Sequence, residues 1–149
     1  MNITQLCQTA FYTYLTSLGL DNVPDGQIYK GIENLNPASD YIARRRLLPC
    51  VTVECLRATE SAHATGNWTA TVIIKCRSNA DDTDEDDHHE FTSEVLSNIW
   101  HSDIRAHASA ALSGFTVFQV RAKEQGYDLI ERSWESYIML EVECCAADL

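Results

Sequence analysis

The sequence predicts an α+β domain: an antiparallel sheet of four or slightly more strands, with two or three helices packed on one face. Three observations lead there. Apolar residues recur at steps of three and four in two segments, 3–18 and 91–100, as on the buried stripe of an amphipathic helix. Apolar and polar residues alternate in four others, 50–55, 68–76, 115–123 and 133–145, as on strands with one covered face. The order is helix, two strands, one or two helices, two strands, which favours antiparallel neighbours with the helices gathered on one side.

The first helix carries Ile3, Leu6, Cys7, Ala10, Phe11, Tyr14, Leu15 and Leu18 on one stripe, and Gly19 is a natural stop. Asn22, Pro24, Asp25 and Gly26 then supply turn chemistry before a short extended run at 28–32. Arg44, Arg45 and Arg46 follow Pro37, and Pro49 opens the first alternating segment, a position proline tolerates at the start of a strand. A polar connection, 59–67, leads to the second, with Trp68, Ala70, Val72, Ile74 and Cys76 on one face.

The acidic run at 81–87 precedes a helix whose apolar side holds Phe91, Val95, Leu96, Ile99 and Trp100; acids there favour the amino end of a helix. Ile104, Ala108 and Leu112 extend that helix or form a third, closed by Ser113 and Gly114. In the last pair, Gly126 marks the turn, and Ser136, Ile138, Leu140, Val142 and Cys144 share a face.

A chain of 149 residues, 45% hydrophobic and 22% charged, fits a single domain spanning 1–149 with a substantial core. No window is long and apolar enough to cross a bilayer, and the amino end lacks the basic start and apolar run of a secretory signal. These features lead us to expect no membrane association and synthesis in the cytoplasm. Acidic residues number 22 against 11 basic, for a formal charge of −11. Such a surface repels phosphate and argues against DNA binding through a basic footprint.

The six cysteines, Cys7, Cys50, Cys55, Cys76, Cys144 and Cys145, show no CxxC pair and no zinc-finger spacing. They read as buried structural thiols. There is no phosphate loop, GxGxxG, GxSxG or HExxH, so the sequence predicts neither an enzyme nor a cofactor. The segment 81–90, with His88 and His89, holds potential oxygen and imidazole ligands, but lacks the order and the glycine of a calcium loop. A small acidic domain binding a divalent cation or a basic protein is therefore the alternative reading.

Against the acidic background, Arg44, Arg45 and Arg46 form a compact basic patch. Asp81, Asp82, Asp84, Glu85, Asp86 and Asp87 are its obvious complement. A chain with both has the means for head-to-tail contact between copies, which closes into a ring when the rotation per subunit is right.

Further local patterns follow the same order. Leu47-Leu48-Pro49 enters one strand, Gly66-Asn67-Trp68 another, and an Asp-rich segment passes through His88-His89 into a helix ending near Trp100. The closing pair contains Phe115-Thr116-Val117-Phe118-Gln119-Val120 and Tyr137-Ile138-Met139-Leu140-Glu141-Val142. In this order of elements the chain resembles the tail terminator, or tail completion, proteins of long-tailed bacteriophages, over nearly its whole length. The long acidic run and the cysteine-rich sheet depart from that pattern.

The resemblance implies a virion structural protein, assembled in the host cytoplasm. It would form a ring, usually of six copies, that caps the tail tube, ends tail polymerisation and meets the head-completion proteins of the neck. Another head-to-tail connector of the same build is the near variant. No catalytic residue comes with the resemblance, and DNA would pass through an acidic channel without specific binding.

Overall fold

Side-chain alternation and strand register agree closely in the computed structural model, which describes residues 2–20, 27–31, 48–63, 65–101, 114–130 and 132–146, the side chains of residues 100 and 101 excepted. The elements run α1 (Ile3–Ser17), β1 (Ile28–Lys30), β2 (Cys50–Glu60), β3 (Asn67–Asn79), α2 (Glu85–His101), β4 (Phe115–Ile130) and β5 (Ser133–Ala146). The five strands form one sheet in the order β1-β2-β3-β5-β4. All neighbours are antiparallel except β1, which lies parallel to β2. The α+β architecture stands, but the sheet is mixed rather than purely antiparallel. The stretch between Lys30 and Cys50 is long enough for the crossover that parallel neighbours need.

α1 starts as its sequence dictates. The Asn2 side chain accepts from the Gln5 N–H at 2.9 Å, and the Gln5 side chain accepts from the Asn2 N–H at 3.1 Å, so two otherwise orphaned donors are satisfied reciprocally. Gly19 ends the helix region at φ +62°, a conformation that other residues resist. Ile3, Cys7, Ala10, Phe11, Tyr14 and Leu15 are buried, the stripe the periodicity predicts.

The core lies between the helices and one face of the sheet. That face is built from Val51 and Val53 of β2, Ala70, Val72, Ile74 and Cys76 of β3, and Ile138, Leu140, Val142 and Cys144 of β5. From α2 come Phe91, Val95 and Ile99. The helices touch through the Tyr14 hydroxyl, which donates to the Asn98 carbonyl at 2.6 Å. On the opposite face Glu135 pairs with Lys75 and Arg77, and Glu141 with Arg121 and Lys123.

The strands outrun the sequence expectation. β2 continues through a bulge at Leu56 to Glu60, so the polar connection shrinks to 61–66. β4 runs on past Lys123, and Gly126 lies inside it opposite Tyr137 instead of in the turn. A Cβ at Gly126 would lie 2.2 Å from the Tyr137 ring: the glycine leaves room for an aromatic ring lying across the neighbouring strand. The turn falls at Arg132, at φ 62°. α2 begins within the acidic run, at Glu85. The expected continuation through Ile104, Ala108 and Leu112 lies outside the described residues, as does the turn at 21–26.

Candidate functional site

The end of the sheet under the start of α2 gathers the most polar chemistry in the described structure. Asp84 caps the helix, its carboxylate accepting from the Asp87 N–H at 2.8 Å, as an N-cap aspartate does. Glu85, Asp86 and Asp87 occupy the first turn, where the helix dipole favours negative charge. Asp81 and Asp82 sit in the preceding turn, organised by the Asn79 side chain, which accepts from the Asp81 N–H and donates to the Asp82 carboxylate, both at 3.0 Å. Part of the acidic run thus has a local structural role, and all six of its acidic side chains are exposed.

One turn into α2, His88 is completely buried. Its Nδ1 lies 2.5 Å from the Ser78 hydroxyl on β3, and its Nε2 lies 2.7 Å from the Ser136 hydroxyl on β5. In a neutral imidazole one nitrogen donates and the other accepts, so two hydroxyls satisfy the ring completely. Burial, with the nearby His89 adding to it, pushes the His88 pKa down to about 4, because desolvation penalises the charged form.

The arrangement resembles a nucleophile–base pair only superficially. A neutral hydroxyl stands where a carboxylate would stabilise an imidazolium, and a base of such low pKa is poorly matched to neutral pH. Ser78 does reach a cleft of about 280 Å³ shared with Pro49, Thr83, Asp87, Glu90 and Phe91. That lining supplies two carboxylates and no cation.

Aromatic contacts fasten the β4–β5 hairpin to this corner. The His89 and Tyr127 rings have centroids 4.7 Å apart, and Tyr127 stacks on Trp134 at 5.9 Å. The Trp134 indole donates to the Thr83 carbonyl at 2.8 Å, and the Ala80 N–H donates to the Arg132 carbonyl at 2.9 Å. The hairpin end and the acidic segment are therefore tied together by direct contacts.

Beside them lies an apolar strip. Tyr127, Leu129 and Ile130 are 40%, 52% and 44% exposed, and Phe118, at a bulge farther along β4, is 46% exposed. β4 is the outer strand of the sheet. Across the sheet, Leu56 at the β2 bulge is also exposed. These are the large exposed hydrophobics among the described residues.

Of the residues singled out from sequence, the structure brings Asp81, Asp82, Asp84, Glu85, Asp86 and Asp87 together at one corner. Arg44, Arg45 and Arg46 lie outside the described residues. Among the described residues no three His, Cys, Asp or Glu side chains are arranged to hold a metal ion. Sequence reasoning missed His88 as a core residue, although 88, 91, 95 and 99 continue one helical stripe. It also missed the β4 strip, because bulges at Phe118 and Lys123 break the alternation. No protein-family model matches the chain, and no curated protein matches it either.

Proposed function

We propose that the chain is a virion structural protein of the tail-terminator kind. Copies join into a ring, six in the family it resembles, that caps the tail tube, stops its growth and meets the head-completion proteins of the neck. The observation that carries this reading is the β4 edge. An outer strand with Tyr127, Leu129 and Ile130 exposed towards its end is the kind of edge on which another chain can pair, and exposed apolar side chains there favour an interaction site.

The occupant we assign to it is a second copy. Among the described residues β1 pairs with Val51, Thr52 and Val53 of β2, and Leu56 of β2 is exposed just beyond, so exposed apolar side chains occur on strands towards both edges of the sheet. Contacts between unlike surfaces of identical chains propagate head to tail and close into rings. Contact between Arg44, Arg45 and Arg46 of one copy and the acidic corner of the next, Asp81 to Asp87, would add charge pairing to that interface.

A charge of −11 per copy supports passage of DNA without adhesion, since carboxylates near a lumen repel phosphate within the roughly 8 Å over which salt leaves charge unscreened. Electron-microscope class averages of the purified protein, alone and with tail tubes, test the reading. Closed rings and tubes capped at one end are expected. Single chains beside bare tubes would refute it.

A further inference from the structure

The outward main-chain groups of β2 are taken up one after another, and then the cover stops. The Val51 N–H donates to the Gln27 carbonyl at 3.0 Å, the Val53 carbonyl accepts from the Gly31 N–H at 2.7 Å, and the Cys55 N–H donates to the Gln8 side chain at 3.0 Å. Past the bulge at Leu56 the phase changes. The Ser61 N–H donates inward, to the Asn67 carbonyl at 2.8 Å, so alternation aims the main-chain groups of Thr59 and Arg57 at β3 and those of Ala58 outward. Among the described residues nothing pairs with Ala58 on that side. At the opposite border of the sheet lies β4.

We propose that β4 of one copy adds, through 119–122, as an antiparallel strand beside 57–60 of the next copy, so that the sheets of neighbouring copies are continuous at this level. The proposal rests on the ring reading and supplies the other half of its interface. β2 and β4 run in opposite directions, because three antiparallel steps separate them. A copy rotated about an axis along the strands therefore presents β2 antiparallel to β4, ready for ladder bonds between two unpaired edges.

The cross-strand rows fix the level. Ala58, Ala70, Val142 and Val120 form one row, and Cys55, Val72, Leu140 and Ala122 another. The inner members of both rows are wholly buried, whereas Ala58 and Cys55 at one border and Val120 and Ala122 at the other are only half-buried. A neighbour at the same level sets Val120 beside Ala58 and Ala122 beside Cys55, so each apolar row runs on from copy to copy and its ends are covered. This match of levels within one chain singles out a second copy as the occupant. Farther along, β1 stands outside β2, which confines the pairing to 119–122 and brings the exposed Tyr127 level with Ile28 of the next copy. On the other face the row Arg57, Thr71, Glu141, Arg121 ends in a cation at each border, and like charges directly opposite weaken a strand pair.

Sedimentation equilibrium of full-length chains is the test, with circular dichroism to check that each variant folds. Ala58→Pro removes an N–H that β2 does not use within its own sheet, and Val120→Lys sets a charge at the other end of the same row. Each variant alone is expected at 16.7 kDa, and an equal mixture at twice that mass, because each keeps the border that the other has lost. Arg57→Glu, which opposes Arg121 of the neighbour, is expected to lower the dissociation constant about three-fold, although it makes an acidic chain more acidic; its site is exposed, so it decides the matter even where the proline is not tolerated. Assembly of Ala58→Pro like the wild type, a mixture that stays at 16.7 kDa, or weaker assembly of Arg57→Glu overturns this proposal and leaves the ring reading standing. A wild type that is itself a single chain overturns both.

Discussion

The two ends of the sheet are closed in opposite ways. Under α1 the closure is dry: Phe11 and Leu15 are wholly buried over Val51, Val53 and Val72, with the thiols of Cys7 and Cys144 in contact. Under the start of α2 it is polar, a buried imidazole held between two hydroxyls and framed by stacked rings. The first end gains stability from non-directional burial, insensitive to pH. The second depends on a few directional bonds, and it adjoins the exposed acidic run. Within one fold, the α1 end is held by apolar burial and the start of α2 by directional polar bonds.

The strongest way to break that contrast is at the dry end. Phe11→Ala should cost about 3–5 kcal/mol in urea unfolding, as truncation of a buried aromatic does; a loss below about 1 kcal/mol would show that α1 is not the anchor. At the polar end the expected signature is pH dependence. The His88 pKa lies at about 4 in the folded chain and near 6.5 when unfolded. Between those values the unfolded chain binds a proton that the folded one refuses. The contribution of His88 is thus complete above pH 6.5 and falls as pH drops towards 4, by on the order of 3 kcal/mol. Urea titrations at pH 7 and 4.5 should show a larger drop for the wild type than for a His88→Leu, Ser78→Ala, Ser136→Ala triple variant. Equal drops would remove the distinction between the ends.

Smaller changes sharpen the comparison. Gly126→Ala should cost about 1–2 kcal/mol by pressing on the Tyr137 ring, and the cost should vanish in a Tyr137→Ala background. Asp84→Ala should lose about 1 kcal/mol with the helix cap. Asp86→Asn, exposed two residues further on, should change stability by less than about 0.5 kcal/mol. Thermal melts of the pair separate capping from mere surface charge.

The contrast also explains what was legible in the sequence. The dry end and the central strands follow periods of 3.6 and 2, so α1 and the inner faces of β3 and β5 could be read directly. The polar end violates those rules. His88 is a polar residue on an apolar stripe, beside acids that suggest solvent. Gly126 signals a turn by residue type, yet the true turn uses Arg132 at positive φ, which residue type does not announce. β1 was legible as the short extended run at 28–32, but its parallel pairing with β2 spans a long interval, beyond the reach of local patterning. Of the candidate site, the acidic corner was visible as composition, but its union with the hairpin depends on tertiary contacts of Tyr127 and Trp134.

The claim that matters most is that β4 joins one copy to the next. Sedimentation equilibrium of the wild type, beside a Leu129→Lys, Ile130→Lys double variant, tests it directly. The wild type should weigh a multiple of 16.7 kDa and the variant 16.7 kDa. A wild type that stays at the single-chain mass at every concentration would contradict the account.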